Sequence, residues 1–219
     1  MTLHEPATLV TDCLLAALAA WLAWRLRGAM PPFNLPAQWW SRALAWTAVS
    51  ALVGGTYHGF AANLPAPVAD AWWRLTLVTI GLVSASMDLS LMHECAAAAR
   101  RKAWRGVIAL KLGIFLAAFL AYPKFGAAIL DYGITMLAWA ACAVVSRRPW
   151  LWPMLAAIGL SLAAALVQQL RWSPWVILNH NDLYHVIQAF ALVGFYLAGR
   201  HFGNEAARES AGAGIGRAP

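Results

Sequence analysis

LNHNDLYHVIQAFALVGFYLAG (178–199) changes character at Gln188. Its first eleven residues hold two histidines, two asparagines, an aspartate, a tyrosine and a glutamine. The eleven that follow, AFALVGFYLAG, are almost wholly apolar. The segment reads as a helix that crosses a bilayer, with its first turns facing a polar site rather than lipid. Ionisable groups inside a membrane are costly and turn toward a partner or a cavity.

The rest of the chain supports a membrane reading. Of the 219 residues, 62% are hydrophobic and 11% charged, and the mean hydropathy is +0.61. A soluble domain carries about 25% charged residues. The apolar residues come in seven blocks, roughly 8–26, 41–60, 68–92, 104–122, 124–146, 150–169 and 178–200. Each approaches the ~20 residues a spanning helix needs. The expected fold is therefore an all-α, integral membrane seven-helix bundle over residues 1–202, followed by a disordered cytoplasmic tail at 203–219. The tail is small and polar, without the apolar residues that order a segment. There is no internal repeat.

The net charge of +7 does not point to nucleic acid, because the basic residues alternate by loop. One side collects Arg25, Arg27, Arg42, Arg100, Arg101, Lys102, Arg105, Arg147, Arg148, Arg200, Arg208 and Arg217. The other has only Lys124 and Arg171, while Arg74 and Lys111 fall inside blocks. The positive-inside rule then predicts an external N-terminus and a cytoplasmic C-terminus. MTLHEPATLVTD lacks the positive start of a cleaved signal peptide. Trp39, Trp40, Trp72, Trp73, Trp150, Trp152, Trp172 and Trp175 lie near block ends, where an aromatic belt is expected. The Ala, Trp and Arg-rich composition points to a bacterial inner membrane. Cys13, Cys95 and Cys142 have no regular spacing and suggest neither a disulfide framework nor a metal motif.

This topology brings the unusual polar residues to one layer. His58 falls near the outer end of the second block, Asp70 near the outer start of the third, and Asp131 about 10 Å into the fifth. His180, Asn181, Asp182 and His185 open the seventh. Asn181, Asp182 and His185 share a helix face by their i+3 and i+4 spacing. His180 is about 140° away from His185 on a continuous helix. It joins the group only if Asn179 or Asn181 caps the helix and the chain is irregular before it. Ser173-Pro174 is the competing start. Asp70 has an alternative partner in Arg74 at i+4. His93 and Glu94, beside Arg100 and Arg101, read as a solvated cluster. Asp88 and Lys111 should meet between the third and fourth helices at matching depth.

The pattern resembles the CREST superfamily of seven-helix membrane hydrolases, which includes alkaline ceramidases, progestin and adiponectin receptors and hemolysin-III-like proteins. Their motifs are Ser-x3-His ending the second helix, Asp opening the third and His-x3-His opening the seventh. His58, Asp70 and His185 stand at three of these five positions. Gly54 replaces the serine and Asn181 replaces the first histidine of the last motif.

The resemblance implies a metal-dependent membrane hydrolase of a lipid amide or ester, with zinc as cofactor and a lipid-like partner. The expected ligands are His58, His185 and either His180 or Asp182, since catalytic zinc takes three protein ligands and keeps a fourth position open. Asp70 would orient or deprotonate the zinc-bound water, and Asp131 would orient a histidine. Two other classes fit the same residues. One is a receptor or small-molecule binder without metal; the other is a transporter or proton relay.

Overall fold

Each apolar block becomes a helix, because backbone groups shielded from water must pair within their own segment. The computed structural model describes residues 2–175 and 178–203, and these form seven α-helices and no strand. They are α1 (Pro6–Ala29), α2 (Leu35–Phe60), α3 (Ala66–Cys95), α4 (Arg101–Ala121), α5 (Phe125–Ser146), α6 (Leu151–Gln169) and α7 (His180–Gly199). The tail from residue 204 onward lies outside the described residues. Helix α2 starts earlier than its apolar block, because the Asn34 side chain accepts the Ala37 N–H at 3.2 Å and Pro36 suits the first turn.

Six of the helices, all except α2, are long and apolar enough to cross a membrane. Helix α2 packs against α1, α3 and α7. Its buried positions include Ser41, Ser50, Gly54, Gly55 and Gly59, which favour close approach over bulk. Helices α1, α2, α3, α5, α6 and α7 touch in that order, and α7 returns to α1 to close a ring. Helix α4 packs outside, against α3 and α5. Outward-facing side chains such as Trp24, Leu110, Leu137 and Val145 are large and apolar, an arrangement suited to lipid rather than water.

Helices consecutive in the chain run antiparallel, so the bundle has two distinct ends. At the N-terminal end, the His4 N–H meets the Gly59 carbonyl at 3.2 Å, and Trp73 Nε1 donates to the Pro123 carbonyl at 2.8 Å. At the C-terminal end, Trp40, Trp139, Trp150, Phe195 and Phe202 form one aromatic cluster, with Trp139 stacked on Phe202 at 4.9 Å. The three indoles donate to Phe195 O (2.9 Å), Met87 O (3.2 Å) and Glu94 Oε1 (3.1 Å). Trp40 and Trp150 are thus core residues, not members of a belt. The more exposed Trp72, Trp152, Trp172 and Trp175 fit that role better.

Two further expectations change at this end. Glu94 is not solvated: its side chain is 2% exposed and accepts from Arg148 (2.8 Å), Trp150 and the Gly203 N–H (3.0 Å). It latches the start of the tail to α3 and α6. Cys95 and Cys142 form a disulfide between the ends of α3 and α5, which unrelated sequence spacing could not reveal. In mid-bundle the expected Asp88–Lys111 contact is present at 3.0 Å.

Candidate functional site

The polar opening of α7 serves two purposes. Half of it caps the helix. Asn179 Oδ1 accepts the N–H groups of Asn181 (2.7 Å) and Asp182 (3.1 Å), while Asp182 Oδ2 accepts the Asn179 N–H (2.8 Å). This reciprocal capping box makes His180 the first helical residue. Asp182 Oδ1 in turn accepts the Thr8 hydroxyl of α1 at 2.7 Å. Both oxygens of Asp182 thus serve the cap and the α1–α7 contact, and Asp182, expected as a possible metal ligand, is not among the residues lining the cavity.

The other half faces a cavity of about 600 Å³ at the N-terminal end of the ring. His58, His180 and His185 all line it, together with Glu5, Asp12, Asn181 and Gln188. From His58 to Thr47 on α2 it extends roughly 16 Å along the bundle, at 1.5 Å per residue. Its walls turn apolar at Leu15, Ile80, Val83 and Met136.

His185 is the best-held of the polar groups. It is 8% exposed, with Nδ1 at 3.0 Å from Thr11 Oγ1 and Nε2 at 3.2 Å from Asp12 Oδ1. Thr11 spends its hydroxyl hydrogen on the Thr8 carbonyl at 3.0 Å. It can then only accept from His185, so Nδ1 carries the hydrogen. One further proton is needed between Nε2 and Asp12 Oδ1, held by the imidazole or by the carboxyl. Asp12 Oδ2 is buried and has no hydrogen-bond partner. A buried polar atom left in this state is rare and calls for a partner.

Gly55 makes this arrangement possible. A Cβ there would lie 2.5 Å from Asp12 Cβ, so any side chain would push α1 off α2. At Gly54 the nearest atom to such a Cβ is Thr76 Cγ2 at 3.4 Å, an ordinary contact. His58 is held by Glu5, whose Oε2 lies 3.1 Å from Nδ1 as a charge contact rather than a well-aligned hydrogen bond.

Asp70 and Asp131 do not join the cavity wall. Asp70 accepts Arg74 Nε at 2.7 Å, the i+4 pairing that was its alternative, and Arg74 also reaches the Leu120 carbonyl at 3.0 Å. Asp131 points instead to Lys111, 2.8 Å away. The residues the sequence reading missed are Glu5, Thr8, Thr11 and Asp12. Their signal was present: Thr8, Thr11 and Asp12 share one face of α1 at i, i+3 and i+4.

The zinc set implied by the resemblance does not fit these residues as they stand. Asp182 is fully engaged, and both ring nitrogens of His185 have protein partners. Among the described residues, no three His, Cys, Asp or Glu side chains are grouped to hold a metal ion.

Fold and cavity together define a seven-helix bundle, six of whose helices are long and apolar enough to cross a membrane, with a polar pocket at one end. The chain belongs to a family of unknown function, DUF6962, whose model matches residues 7–204. No curated protein and no solved structure matches it.

Proposed function

We propose that this is an integral membrane protein that binds a lipid-like amphiphile in the N-terminal-end cavity. The observation that carries the reading is the unpartnered Asp12 Oδ2 beside the His185 imidazole, in the wall of a cavity that also carries apolar side chains at Leu15, Ile80, Val83 and Met136. Its volume falls in the ~300–1,000 Å³ range of small-molecule sites. The ligand's head group carries a hydrogen-bond donor, a hydroxyl or an amide N–H, that meets Asp12. Its apolar body runs toward Met136. The charge bias of the loops supports an outer-leaflet position for this end, with the C-terminus in the cytoplasm.

Binding of a fluorescent N-acyl amide to the protein in nanodiscs tests the reading. His185→Ala and Asp12→Asn should each weaken it by about tenfold or more, the scale of a hydrogen bond to a charged group. Ala165→Trp, which adds bulk to the wall, should compete with the probe. Equal binding in all three variants would overturn the proposal. Reporter fusions in loops 28–38 and 61–67 test the orientation, with the first expected cytoplasmic and the second external.

Hydrolysis of a lipid amide or ester with zinc is the second reading, and one observation favours it. Both His58 and His185 are held through Nδ1, by Glu5 and Thr11, as metal-ligating imidazoles usually are by outer partners. Installing the residues of the CREST motifs with Gly54→Ser and Asn181→His should confer stoichiometric zinc if the site is a modified hydrolase centre. Metal analysis of the double variant without zinc would remove this reading and leave the binder intact.

A further inference from the structure

Behind the cavity, α3, α4 and α5 enclose a second polar cluster that the proposed binding function does not use. Lys111 Nζ lies 2.7 Å from Ser84 Oγ, 3.0 Å from Asp88 Oδ2, 3.0 Å from Thr135 Oγ1 and 2.8 Å from Asp131 Oδ1. Thr135 donates to Asp88 Oδ1 at 2.9 Å, and Ser84 Oγ lies 2.9 Å from Thr135 Oγ1. Asp88 is 8% exposed and Asp131 6%.

The polar hydrogens can be counted. An ammonium has three and each hydroxyl one, five in all. Lys111 donates to Ser84, Asp88 and Thr135, Ser84 serves Thr135, and Thr135 serves Asp88, while Asp131 Oδ1 meets the ammonium as an ion pair. Every hydrogen is then spent. One acceptor remains, Asp131 Oδ2, which is buried without a partner. The charges leave the same remainder, since two carboxylates face one ammonium. The missing hydrogen and the missing positive charge fall on the same carboxyl pair.

We propose that this α3–α4–α5 cluster is a proton-binding site, with one exchangeable proton held by the Asp88–Asp131 carboxyl pair. A proton meets both deficits, and an uncompensated buried negative charge is strongly destabilising. A metal cation is disfavoured because the Lys111 ammonium already occupies the position between the carboxylates. No other titratable group from the packed helices reaches the cluster through the ion pairs and hydrogen bonds described. On α3, Asp70 binds Arg74 and Glu94 binds Arg148, at opposite ends. On α2, His58 faces Glu5 and Arg42 lies over Trp39. On α5, Tyr132 faces the cavity, and α6 carries no titratable residue.

Infrared difference spectroscopy of the protein in nanodiscs, titrated from neutral to alkaline pH, tests this. In an Asp12→Asn background, used throughout because the Asp12 carboxyl could hold a proton of its own, the protein should show a protonated-carboxyl carbonyl band that is lost on alkalinisation and shifts in D2O. Asp131→Asn should remove that band by removing the group. Asp88→Asn should also remove it, because the remaining carboxylate then balances Lys111 and needs no proton. His58→Ala should retain it. Asp131→Asn mimics the protonated acid and should fold; Asp88→Asn gives an independent result. Persistence of the full band in either variant, or no band in the Asp12→Asn parent, would overturn the proposal.

Discussion

The two ends of this bundle are packed differently. At the C-terminal end the indole N–H groups of Trp40, Trp139 and Trp150 all have acceptors, and Glu94 collects three donors. At the N-terminal end the helices leave a 600 Å³ space, and Asp12 presents a buried oxygen with no partner. Closed aromatic packing is where a fold gains stability. An open pocket with unmet polar demand gives stability up in exchange for binding. The same seven helices do both because α2 is thin at its far end, where Gly54, Gly55 and Gly59 replace the bulk of Trp40 and Leu44.

The sharpest contrast between the ends should come from Trp139→Ala. Its loss should cost about 3–5 kcal/mol, as for other fully buried large aromatics, read as a lower unfolding temperature in detergent. A loss below about 1 kcal/mol would mean that the aromatic cluster is not the anchor of the fold. Next comes Gly55→Ala, which should cost about 1–3 kcal/mol through overpacking against Asp12 and should also weaken amphiphile binding. Gly54→Ala, with its 3.4 Å contact, should leave both nearly unchanged. If the neighbours behave alike, the close approach of α1 to α2 is not what positions Asp12.

Asn179→Ala removes the capping box and should cost about 1 kcal/mol. Because the cap fixes where α7 begins, ligand affinity should fall with it. Unchanged affinity would separate the cap from the pocket. The smallest effect should come from Asp70→Asn. Its carboxylate is 52% exposed in an i,i+4 pair, and exposed pairs contribute under about 1 kcal/mol. Affinity should not move; a large loss of binding would return Asp70 to the site.

The helices were legible because each is written as a long apolar run, and six of the seven blocks begin within three residues of the observed helix starts. His58 and His185 were legible for the same reason in reverse, as imidazoles with no excuse to face lipid. Lys111 and Asp88 could be matched by depth alone, since helix rise converts sequence distance into height. Asp12 was harder. It lies inside an apolar block that already satisfied the spanning pattern, and its meaning depends on α7, more than 160 residues away. Asp182 was misjudged because one carboxylate can cap a helix or bind a ligand, and only the Thr8 and Asn179 contacts decide. Glu94 takes its burial from Gly203 and Trp150, partners that no local pattern around it indicates.

The Cys95–Cys142 disulfide has a consequence for how the protein sits in its cell. It lies at the end of the bundle that the arginine bias assigns to the cytoplasm, where glutathione keeps most thiols reduced. Charge bias and sulfur chemistry therefore give opposite compass readings for the same molecule. Alkylation of intact cells before lysis, followed by mass measurement with and without reductant, reads that compass directly. Two labelled thiols at these positions mean a cytoplasmic face and a cavity open to the outside. A protected pair means that this end matured in an oxidising compartment, and that Asp12 and His185 look inward.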